Sequence, residues 1–193
     1  AFLLTDLKQN GRRRSILSAP PIYTMSPDML EHILRRNSVS EEERARIHEY
    51  AASQLKRSEQ LLAVGTIEDE IPQLNDEEFS RHPAALPLSG LFYGQDITYT
   101  PDEYREHIEQ TLSFAEEHPS YTVTLTAANP FRNLCILIHE GRWAMISKSN
   151  APAIHFVIHH PKVRAAIEKE ERRRDGLRGE LDICAEKIKK ITA

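Results

Sequence analysis

Three turns after residue 126 constrain this chain most. They separate four segments with strand character, and each is too short to hold a crossover helix, so neighbouring strands should run antiparallel. Tyr121 to Thr126 alternates with β-branched residues. Asn129-Pro130 marks a turn before a second strand, Leu134 to His139. Glu140-Gly141 leads into a third, Arg142 to Ser147, and Ser149-Asn150-Ala151-Pro152 into a fourth, Ala153 to Ile158. Helix signals stand on both sides. Thr100 before Pro101, with Glu103 three residues on, has capping-box spacing, and Tyr104, Ile108, Leu112 and Ala115 follow at helical period. His160-Pro161 opens a helix reaching at least Glu171. The expected fold is α+β: a helical N-terminal part, then a four-stranded antiparallel meander flanked by helices.

The first half is patterned differently. Residues 1–26 show no sustained period and are punctuated by Gly11, Pro20 and Pro21. Ser26 with Pro27 starts a helix whose apolar face is Met29, Leu30, Ile33 and Leu34. Ser40 with Glu43 starts a second helix, running to about Val64, with a thin stripe of Ile47, Tyr50, Ala51, Leu55, Leu61 and Leu62. Residues 65–85 combine Gly65, Pro72 and Pro83 with many acidic groups, which predicts a connector holding a short helix around Asp76 to Ser80. The expected organisation is a helical region at 1–64, the connector at 65–85, an α+β domain at 86–174 and a terminal helix at 175–193. In that last segment Leu177, Leu181, Cys184, Ile188 and Ile191 alternate by four and three residues. It either packs on its own domain, self-associates or frays.

A length of 193 residues supports a core without staples, and two cysteines form no disulfide framework. No apolar run approaches a membrane span, so a cytoplasmic, reduced protein is expected. The chain begins at Ala1 without an initiator Met, which suggests a piece of a longer or processed protein. The formal charge of -4 hides an acidic middle between two basic ends, whose sharpest runs are Arg12-Arg13-Arg14 and Arg172-Arg173-Arg174.

Catalytic motifs are absent. There is no HExxH, no G-x-S-x-G, no P-loop and no G-x-G-x-x-G, and no cysteine stands at metal-ligand spacing. No metal or cofactor is therefore expected. Histidines near strand ends offer the one enzymatic alternative, with His139, His155 and His159 working beside Glu140. A binding reading rests on Arg132, Arg142, Lys148 and His155, polar groups spread over adjacent strands and turns, with Trp143 as a flat apolar wall. These five form the candidate site for a small anionic or polar ligand. The bland reading is that Trp143 and Met145 face the core while Arg142 faces water. The turns Phe131-Arg132-Asn133 and Ser147-Lys148-Ser149-Asn150 are the places to look first.

The stretch Pro130-Phe-Arg-Asn133, Ile138-His-Glu-Gly141, Trp143, Met145-Ile-Ser-Lys148 and Ala151-Pro-Ala-Ile-His-Phe-Val-Ile158 before His160-Pro161 carries a resemblance. It resembles the region C-terminal to the helix-turn-helix in a group of poorly characterised bacterial transcriptional regulators. Met29 to Arg46 is similar to their linker, and the resemblance spans about residues 28–170. It implies a non-catalytic effector-sensing or dimerisation domain, a homodimer, and contact with DNA only through a part not seen in this chain. The N-terminal 26 residues hold no pair of helices joined by a short turn that would serve as a reader.

Overall fold

A computed structural model describes residues 11–87, 96–126, 134–148, 154–170 and 173. Strand β1 (Arg12–Ile16) is followed by a 3-10 turn (Ile22–Thr24), then α1 (Pro27–Arg36) and α2 (Glu41–Leu62). Next come β2 (Thr66–Pro72), α3 (Asp76–Arg81), α4 (Pro101–Glu117) and β3 (Tyr121–Thr126). Three strands then follow, β4 (Leu134–His139), β5 (Trp143–Lys148) and β6 (Ile154–Ile158), and a last helix, α5, over 161–170.

The helix starts follow their caps. Ser26 accepts from the Met29 amide, and Pro27 occupies the first turn, where its missing N–H costs nothing. Ser40 caps α2, while Asn75 and Thr100 open α3 and α4 with complete capping boxes to Glu78 and Glu103. Each cap typically contributes about 1 kcal/mol. Helix α1 then buries Met29, Leu30, Ile33 and Leu34 against Ile47 of α2, Phe79 of α3, and Tyr104 and Ile108 of α4. Long α2 buries only Ile47, Ser58, Leu61 and Leu62, as its thin stripe predicts.

The sheet corrects the expected four-stranded antiparallel meander. Among the described residues it has six strands in the order β3-β2-β1-β4-β5-β6 and is mixed. β1, β2 and β3 run parallel, whereas β4 is antiparallel to β1 and continues through β5 and β6 as an antiparallel meander. Strand β3 therefore pairs with β2, not with β4. Three inter-strand spacings, about 14 Å, separate β3 from β4, and a seven-residue link reaches up to about 23 Å. A connection too short for a helix is still long enough to step across two strands.

β1 and β2 were concealed by charge. In Arg-Arg-Arg-Ser-Ile and Thr-Ile-Glu-Asp-Glu-Ile-Pro, alternate residues face the open side. There the Arg12 guanidinium meets Glu68 at 2.5 and 2.7 Å, and Arg14 Nε lies 3.3 Å from the same carboxylate. The inward phase is Arg13 and Ser15 on β1 and Ile67, Asp69 and Ile71 on β2. Both crossovers, β1 to β2 and β2 to β3, run in the same direction, so right-handed connections set their helices on one face. Leu61 and Leu62 of α2 accordingly pack with Tyr23, Ile67 and Tyr121.

Candidate functional site

The sheet changes direction at β1, whose neighbour on one side is parallel and on the other antiparallel. The carboxyl ends of β1, β2 and β3 share an edge with the beginning of β4. Leu134 there lies opposite Lys148, and Lys148 opposite Ile154. Of the two turns singled out in the sequence, Phe131-Arg132-Asn133 and Ser149-Asn150 lie outside the described residues. Just inside the carboxyl edge, Cys135 pairs with Ser147 and Ser147 with His155. Ser18, two residues past β1, brings its Oγ to 3.4 Å from the Cys135 Sγ. Cys135 and Ser147 are buried, Lys148 is half-buried and His155 is exposed.

Of the five expected ligand residues, the structure gathers two at this edge. Lys148 and His155 lie there on opposite faces of the sheet, since their partners Ile154 and Ser147 belong to opposite alternation phases. Arg132 lies outside the described residues. Arg142 and Trp143 stand at the other end of β5, about 17 Å from Lys148 along the strand. Trp143 is only 8% exposed, with its ring centroid 5.7 Å from that of His139, so it offers no open wall. The Arg142 carbonyl accepts from Arg164 of α5 at 2.9 Å, and the Gly141 amide donates to Glu168 at 3.4 Å, which clamps this hairpin under α5.

The histidine set is divided in the same way. His139 lies opposite Trp143, whereas His155 lies opposite Ser147, about 13 Å further along the sheet. His159 follows β6 near the Trp143 end, and Glu140 is exposed in the hairpin turn. Among the described residues no group of three His, Cys, Asp or Glu is placed to hold a metal ion. No helix among them is long and apolar enough to cross a membrane.

Two buried polar clusters were not anticipated. In the first, Arg13 donates from Nη2 to Tyr23 Oη at 2.8 Å and lies 3.4 Å from Asp69 Oδ1. The hydroxyls of Tyr23 and Tyr121 both donate to Asp69 Oδ2, at 2.5 and 3.1 Å. Asp69 is 1% exposed. Burial opposes the charge of Arg13, yet Tyr23 and Asp69 hold it above its ordinary value. Burial, then the Asp69 carboxylate, pushes the Tyr121 phenol up. Sealed beneath the helices, this cluster ties three parallel strands and the 3-10 turn together. Its sequence signal is the alternation Ile67, Asp69, Ile71, which puts an acid on the inward phase.

The second cluster surrounds His107, whose Nδ1 lies 2.9 Å from the Tyr99 hydroxyl and Nε2 3.2 Å from Thr24 Oγ1. Thr24 also donates to the Pro21 carbonyl and lies 2.7 Å from the Thr111 hydroxyl. Burial pushes His107 down to about 3, so the imidazole is neutral and pins α4 to the 3-10 turn.

No protein-family model matches this chain, and no curated protein or solved structure is significantly similar to it.

Proposed function

We propose that the chain is an effector-sensing and dimerising domain of a bacterial transcriptional regulator, non-catalytic, with a small anionic or polar ligand held at the carboxyl edge of β1. One observation carries the ligand part of this reading. The strand order sets Lys148, at the end of β5, on the edge formed by the carboxyl ends of β1, β2 and β3. In open sheets of parallel strands, ligands bind outside the carboxyl ends. A ligand that caps the edge meets Lys148 from one face of the sheet and His155 from the other. The regulator part is supported by the sequence resemblance over residues 28–170, and the proposal assigns no DNA contact to this chain. Separation of His139 from His155 along the sheet argues against the enzymatic alternative.

Thermal unfolding with millimolar inorganic phosphate, small carboxylates and sugar phosphates tests the site. A ligand at a hundred times its Kd adds about 2.7 kcal/mol, which raises Tm by about 5–10 °C for a domain of this size. Lys148→Glu and His155→Glu should remove that rise, and Arg142→Glu, at the far end of β5, should leave it. A rise lost in Arg142→Glu but kept in Lys148→Glu would place the ligand elsewhere. No rise with any of these compounds would remove the anionic-ligand reading.

A further inference from the structure

The last strand of the sheet, whose His155 belongs to the carboxyl edge, also carries an apolar surface. β6 pairs with β5 along one edge, and among the described residues no strand lies along its other edge. Its sequence, Ile-His-Phe-Val-Ile, contains no Lys, Arg, Asp or Glu. Sheet edges are ordinarily protected against pairing by such charges, by proline or by a bulge. Here Phe156 is 64% exposed, Ile154 45% and Val157 42%.

Ile154 and Phe156 stand on the open side of the sheet, where Phe156 continues an apolar row. Ile16 lies opposite Ile136, Ile136 opposite Ile146, and Ile146 opposite Phe156, which makes one row across four strands. Exposure rises along it: Ile16 is buried, Ile136 and Ile146 are half-buried, and Phe156 is mostly bare. An apolar row that becomes more exposed toward an edge with no strand beside it among the described residues lacks its next member there.

The strand pattern says what that member is. Antiparallel pairing of β6 with a second β6 about Phe156 sets each Phe156 against its counterpart and each Ile154 against an Ile158. All of these stand on one face by alternation. No charged group of the strand is buried by the pairing. The opposite edge of the sheet is a poorer match, because β3 presents Thr122 and Thr124 on the same face. Head-to-tail contact of β6 with β3 would set threonines beside Phe156 and would not close.

We propose that two copies of this chain associate through β6, edge to edge and antiparallel about a two-fold axis through Phe156, joining their sheets into one. The inference rests on the dimeric part of the proposed function and not on the ligand. Ile154 and Phe156 expose on the order of 250 Å² of apolar surface per copy, well below the roughly 800 Å² per partner of a standard interface, so a weak, concentration-dependent dimer is expected.

Sedimentation of the chain from about 5 to 500 µM should show a monomer–dimer equilibrium in this range. Phe156→Lys should weaken it at least tenfold. Its Tm should stay close to that of the parent, because the side chain is exposed. Phe156→Cys, in a Cys184→Ser background, should form a disulfide-linked dimer under mild oxidation, and Ile154→Cys should do so far more slowly. A monomer throughout, or a dimer unaffected by Phe156→Lys, overturns the proposal. So do open-ended polymers, or equal cross-linking from positions 154 and 156. A monomer that still gains Tm with a ligand removes the dimer alone and leaves the ligand site standing.

Discussion

Replacing Asp69 by Asn removes one negative charge from a site that water does not reach. The side chain is almost completely buried and meets only donors: the Tyr23 and Tyr121 hydroxyls and the Arg13 guanidinium. In the variant Arg13 stays buried without a counter-charge. The new amide NH2 also turns toward groups that donate, so at least one polar group loses its partner. Breaking a buried ion pair by removing one member costs about 3–5 kcal/mol. Set against a typical total of about 5–15 kcal/mol, that is a large fraction. Urea unfolding followed by circular dichroism should show a lower midpoint with an unchanged slope, and Tm should fall by about 6–20 °C. Replacing the pair together, Arg13→Met with Asp69→Leu, should restore much of the loss because no charge is left buried. A loss below about 1 kcal/mol for Asp69→Asn would show that the pair is solvated and would refute the reasoning.

Acid should loosen the domain through His107. Its folded value of about 3 lies below the unfolded value near 6.5, so the contribution is complete above pH 6.5 and is lost as pH falls toward 3. Between pH 7 and 4.5 this removes about 2–3 kcal/mol. The unfolding free energy of His107→Gln should accordingly decline less over that window; equal slopes in both proteins would contradict the burial argument. Gly65→Ala would place a Cβ 2.1 Å from the Gly11 carbonyl oxygen, which the Thr66 amide uses as its acceptor. We expect a loss of about 1–3 kcal/mol, with faster amide exchange at Thr66. Gly141→Ala meets no atom within 4 Å and should cost about 1–2 kcal/mol through its positive φ alone, without change at Thr66. Unaltered exchange at Thr66 in Gly65→Ala would show that the two strand starts can separate freely.

What could be read in advance was whatever a segment states by itself. Caps do this, since Ser26, Ser40, Asn75 and Thr100 each satisfy amides within their own first turn. So do β3 to β6, whose alternation is apolar and β-branched, and whose bounds fall within a residue of those expected. The division of the candidate site was not anticipated, although strand spacing contains it. Trp143 and Lys148 are five residues apart on one strand, and a strand is rigid, so they could not line one small site. Their pairing partners were not legible, and these decide which strand ends meet at the carboxyl edge.

Strands β1 and β2 show why the rest was hidden. Taken singly, Arg-Arg-Arg-Ser-Ile reads as a solvated basic run and Thr-Ile-Glu-Asp-Glu-Ile-Pro as an acidic connector. Paired in parallel, they neutralise each other on both faces at once. Arg12 and Arg14 converge on Glu68 at the open face, and Arg13 reaches Asp69 on the covered one. The exposed contacts contribute at most about 1 kcal/mol each, so they do not drive the pairing. Their effect is on specificity. A shift of β1 by one residue against β2 would exchange the two faces of β1, sending Arg12 and Arg14 beneath the helices in place of Arg13. That alternative brings two guanidiniums instead of one to the face where Asp69 is the carboxylate of the cluster. Strand character in this half of the sheet is thus a property of the pair, and no window of the sequence shorter than the separation of Arg13 from Asp69 contains it.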